Sequence, residues 1–82
     1  MRKLHVVVVP FSCRQGEFVS DTPLAAKSEE VGIATAKRIA YLFDGVCVLS
    51  VLVDAITGDA SDVTELFRIG DAPDLDQIAA AA

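Results

Sequence analysis

The sequence predicts an α+β domain, a four-stranded and mainly antiparallel sheet with one long helix on one face. Three observations lead there. A β-branched run, "LHVVVVPF" over Leu4 to Phe11, opens the chain, and an amphipathic stretch with a helix-start signal begins at Ser28. After it, "VCVLSVLVD" carries apolar residues on both of its alternating faces. The element order is strand, strand, helix, strand, strand.

The first run is too short for a helix and rich in valine, so it reads as a strand, with Pro10 pointing to an edge position or a bulge. Gly16 in "SCRQGEF" marks a turn, and "DTPLAAK" returns as a second, shorter strand. Ser28 is a good N-cap because its hydroxyl can accept from a free amide of the first turn, where Glu29 and Glu30 suit the helix dipole. The helix is expected to run to about Phe43, with Gly32, Ile33, Ala36, Ile39, Ala40 and Phe43 on one face. Gly32, Ala36 and Ala40 are small and four apart, which lets the backbone approach the sheet closely.

Gly45 is expected to end the helix as a C-cap residue with positive φ. In the strand that follows, Cys47, Leu49, Val51 and Val53 form one apolar face, and Val46, Val48, Ser50 and Leu52 form a second that is nearly as apolar. One helix cannot cover both. "DVTELFRIG" makes the last strand, and residues 74–82 a frayed helical or disordered tail. A right-handed crossover from the second strand to the third gives the sheet order 2-1-3-4.

The chain has 82 residues, which is one small domain with a large surface for its volume. Hydrophobic residues make up 52%, charged residues 23%, and mean hydropathy is +0.47, more apolar material than one small core hides. A homodimer is therefore expected, or docking on an unidentified protein. The net charge of −5 argues against nucleic acid as a partner, since phosphates would be repelled. "MRKLHVVVVPFSC" imitates a secretory signal, but its apolar run is about five residues where an h-region needs roughly 7–15. No run approaches the ~20 apolar residues that span a bilayer, so no membrane is expected. The cysteines, Cys13 and Cys47, are too few for a disulfide framework, and a reducing, cytoplasmic setting follows as the expectation.

The acidic segment "VLVDAITGDASDVTELFRIGDAPDL" raises the question of a metal loop. Counted from Asp54, a calcium-binding EF-hand loop would need oxygen ligands where Ile56 and Gly58 stand, so it does not fit. A hairpin connection fits better, with Gly58 supplying backbone freedom and Asp59, Ser61 and Asp62 turn hydrogen bonds. His5 and Cys13 lie eight residues apart on extended chain, about 26 Å, too far for a catalytic dyad. Cys13, beside Arg14, is the candidate reactive thiol, and Cys47 reads as a small core hydrophobe that the sheet order brings into Cys13's neighbourhood. No phosphate-binding loop, zinc pattern or nucleophile elbow is present, so no cofactor, metal or catalytic residue is assigned and no enzyme is expected.

The phrases "KSEE", "GV", "TGD" and "LFRIGDAPD" together give the chain a recognisable order: Ser28 to Glu30, Gly45 and Val46, Thr57 to Asp59, and Leu66 to Asp74. In these it resembles a loose group of short uncharacterised bacterial proteins. The resemblance covers about half of the chain, supports the element order and implies no catalytic residue. The function expected from sequence is that of a small homodimeric interaction or accessory protein, with Val46, Val48, Ser50 and Leu52 as candidate interface. The alternative is a small-ligand binder, with a pocket between helix and sheet or at the dimer seam, near His5, Tyr41 or Arg68.

Overall fold

The computed structural model describes residues 2–72, and the tail expected over 74–82 lies outside them. Strand β1 (Arg2–Arg14) is followed by β2 (Glu17–Ser20), β3 (Leu24–Ala26), helix α1 (Glu29–Ile39), a 3-10 turn (Ala40–Leu42), β4 (Gly45–Asp54) and β5 (Ala60–Gly70). The fold is α+β, with an antiparallel sheet and, among the described residues, one α-helix. Among the described residues the sheet has five strands where four were expected. Its order is β2-β1-β4-β5, with β3 also paired to β1.

The extra strand comes from a break in the return of the first hairpin. β1 turns through Gln15 (φ 53) and Gly16 (φ 81), two positive-φ residues in the pattern that matches strand twist in a two-residue hairpin. β2 pairs with Phe11–Arg14 and β3 with Val6–Val8, leaving Asp21–Pro23 between them. Pro10 sits opposite this break. Its carbonyl accepts from Asp21 N at 2.8 Å, and a residue's N–H and C=O point to the same edge of an antiparallel strand. The donor that proline lacks would thus have pointed into the gap, so Pro10 is tolerated in a central strand. The edge position expected for it is corrected: Pro10 pairs with Val46 in the interior of the sheet.

Helix α1 begins as the sequence indicates, with the Ser28 side chain accepting from Val31 N at 3.2 Å. Its end differs. The α-helical part stops at Ile39 and tightens into the 3-10 turn, with Phe43 N donating to the Ala40 carbonyl at 3.4 Å. Gly45 is not a positive-φ cap, since the positive-φ glycines are Gly16, Gly58 and Gly70. It starts β4, and a Cβ there would lie 2.0 Å from the Asp71 carbonyl oxygen. Close approach of a distant backbone is what requires glycine at this position.

Gly32 and Ala36 bring the helix onto the sheet as expected, over Val6, Val8, Val46 and Val48. Ile33, Ile39, Phe43, Leu66, Phe67 and Ile69 close this core at its margins. β5 bulges twice against β4, at Leu66 and where Asp62 and Val63 together oppose Val51. Asp62 takes a positive φ of 50 there, a conformation Asp adopts more readily than most residues.

Candidate interaction surface

β4 changes character halfway along. Gly45 to Ser50 are buried, while Val51 to Asp54 are half-exposed on both faces. The reason is the reach of the helix: Gly32, near its start, already sits over Val6 and Val48. Beyond that level the sheet continues as a tongue made of the start of β1, the end of β4 and the start of β5. Its residues stay apolar. Leu4, paired with Leu52, is 63% exposed, Ile56 at the tip is 87% exposed, and Val51, Leu52 and Val53 are half-covered.

The face away from the helix carries Val7, Val9, Phe11, Cys47, Leu49, Val51 and Val53, placed together by the β1–β4 register. Val9, Phe11, Cys47 and Leu49 are buried, with Ala72 and Val7 packed against them. Beside them lies a polar group on β5. Arg68 Nε donates to Glu65 Oε1 at 2.8 Å, Arg68 Nη1 donates to the Ala72 carbonyl at 3.0 Å, and the Cys47 Sγ is 4.0 Å from Glu65 Oε1. Burial raises the Cys47 thiol pKa above its ordinary value; Arg68 acts in the opposite direction and Glu65 adds to the rise. Cys47 is therefore held as the protonated thiol, without the nucleophilic character of a thiolate.

Three of the four candidate interface residues are buried within the chain itself. Val46 and Val48 are fully buried under the chain's own helix and are not available to a second chain. Ser50 is 7% exposed, and Leu52 alone of the set reaches the tongue. The surplus apolar surface is thus the end of β4 rather than one whole face of it. Hydrophobic periodicity shows which residues share a face but not how far along a strand a helix extends.

Cys13 is exposed, and its backbone N–H donates to Asp44 Oδ2 at 2.5 Å, tying the end of β1 to the segment leading into β4. Cys13 and Cys47 do not meet. Cys47 pairs with Val9, four residues and about 13 Å along β1 from Cys13. His5, opposite Val51, is exposed and remote from Cys13 on the same strand. His5, Tyr41 and Arg68 do not come together: Tyr41 is 83% exposed in the 3-10 turn, and His5 lies four pairs along the sheet from Arg68. A shallow groove of about 230 Å³ lies instead at the first hairpin, lined by Ser12, Arg14, Val19, Ser20 and Asp21.

The acidic loop satisfies its own backbone. Asp54 Oδ1 accepts from Ile56 N at 2.8 Å and Thr57 N at 3.1 Å, and Thr57 Oγ1 accepts from Asp59 N at 3.2 Å. Asp54 and Thr57 supply the side-chain turn bonds expected of Asp59, Ser61 and Asp62, because Ser61 and Asp62 belong to β5. Gly58 has the positive φ, 77, that its place in the turn suggested. Among the described residues, no group of three or more His, Cys, Asp or Glu side chains is placed to hold a metal, and no helix is long and apolar enough to cross a membrane. Comparison of the chain with protein-family models, with curated proteins and with solved structures found no match.

Proposed function

We propose that the protein is a small homodimeric interaction or accessory module without catalytic activity, working in the cytoplasm. The observation that carries this reading is the tongue, where β4 remains apolar on both faces after the helix has ended. Exposed apolar surface that is contiguous and rimmed by charge is characteristic of contact sites. The rim here is Arg2, Lys3 and His5 on β1, and Asp54, Asp59 and Asp62 on the loop and β5.

By strand spacing, each face of the tongue offers a few hundred Å² per copy, under the ~800 Å² typical of a stable complex. Self-association is accordingly expected in the micromolar range or weaker. Light scattering coupled to size exclusion, over a concentration series reaching several hundred micromolar, reads this directly. A dimer that Val53→Lys abolishes, with unchanged thermal unfolding of the monomer, supports the reading; a strict monomer throughout overturns the homodimer.

A second reading, a small-ligand binder, draws on the hairpin groove, where Arg14 and two serine hydroxyls stand together. A thermal-shift screen separates the two, because a ligand specific for the folded state must raise its stability.

A further inference from the structure

How the two copies meet follows from the charge pattern of the helix-free face. The β1–β4 register puts Lys3, His5 and Val7 on the face that carries Val53, Val51 and Leu49. At the other margin, β5 sets Glu65 opposite Leu49 and brings Asp62 and Val63 against Val51. The tongue end of this face is therefore basic along β1 and acidic along β5, with valines between. Arg68 stands on the same acidic margin but farther from the tip, opposite Cys47, and is held by Glu65 and the Ala72 carbonyl.

We propose that a second copy of this chain packs against the tongue end of the helix-free face about a two-fold axis parallel to β4, placing β1 of each protomer over β5 of its partner. The inference rests on the homodimer reading above. Two aligned sheets pack about 10 Å apart with strands within ~30° of each other, and the helices of both copies then lie outside the pair. Two closed arrangements are available. An axis along the strands keeps each strand level, so it sets His5 over the partner's Asp62 and Val7 over its Glu65, with Lys3 two residues nearer the tip and its long side chain within reach of Asp62. An axis across the strands sets β1 over β1 and β5 over β5, like charge on like, which complementary interfaces avoid.

Edge-to-edge pairing is the other way two sheets join, and on the β5 side the fold discourages it. The outer edge of β5 is interrupted by its two bulges, a device that blocks strand addition. Pairing the β1 edge of one copy with the β5 edge of another is also head-to-tail and does not close on itself.

Cross-linking tests the axis, in a Cys13→Ser background so that the exposed native thiol does not react. With a bis-maleimide of about 10 Å reach, matching the sheet spacing, Val51→Cys is expected to cross-link to itself. His5→Cys is expected to cross-link to Asp62→Cys in a mixed sample and not to itself. Lys3→Glu should weaken the dimer by about tenfold, and adding Asp62→Asn, which removes the facing carboxylate and tolerates the positive φ, should restore much of that loss. Circular dichroism on each variant shows whether it is folded. A wild-type dimer in which His5→Cys links to itself, or in which Lys3→Glu changes nothing, overturns this arrangement and leaves the homodimer standing. A wild-type monomer removes both.

Discussion

Replacing Gly32 with alanine sets two effects of known size against each other. In an isolated helix the change is favourable, since alanine exceeds glycine by about 1 kcal/mol in helix propensity. In this fold the new Cβ would lie 2.9 Å from Val6 Cγ1 and 3.0 Å from Val48 Cγ1, closer than real Cβ contacts. Val48 is fully buried and Val6 nearly so, and both are β-branched, so neither methyl swings aside without strain. Overpacking of this kind costs about 1–3 kcal/mol. The cost wins, and Gly32→Ala is expected to destabilise the fold by about 1 kcal/mol, or roughly 4–8 °C in Tm for a domain of this size. Urea unfolding followed by circular dichroism measures it. Val6→Ala, which removes the closest methyl, should make the same glycine change less harmful by about 1 kcal/mol. Stabilisation of the wild-type background by the full helix-propensity gain, or additivity in the double variant, would refute the close approach of helix to sheet.

Three further outcomes follow from the same geometry. Gly45→Ala should cost more than about 3 kcal/mol because its Cβ meets the Asp71 backbone, while Gly58→Ala, which meets nothing and only strains a positive φ, should cost about 1 kcal/mol; equal effects in denaturant titrations would contradict the structure. Asp44→Ala removes the acceptor of the Cys13 amide and should destabilise by about 1–2 kcal/mol, with Asp44→Asn milder, as thermal melts would read. Cys13 should react with iodoacetamide in the folded protein and Cys47 only on unfolding, which mass spectrometry of digests distinguishes. Because burial raises the Cys47 pKa, its contribution is whole below the unfolded-state value and is lost as pH rises through the folded one; stability in the alkaline range should therefore decline less in Cys47→Ala.

By itself the sequence determined the class of fold, the order of its elements apart from the extra strand β2, the Ser28 cap and the small-residue stripe of the helix, because these depend on local hydrogen bonding and on the spacing of apolar residues. It also showed that more apolar strand was present than one helix could cover. The tertiary structure alone decided where that surplus lies: Val46 and Val48 went under the helix, and Val51 to Val53 ran past it. Glycine at 45 looked like a helix cap because of its neighbours in the chain, yet it answers to Asp71, brought alongside by β5. Pro10 looked like an edge residue, yet its missing donor faces a gap between two other strands. Each of these depends on which distant backbone arrives alongside, a contact set by strand register and helix reach, and local periodicity carries no record of either.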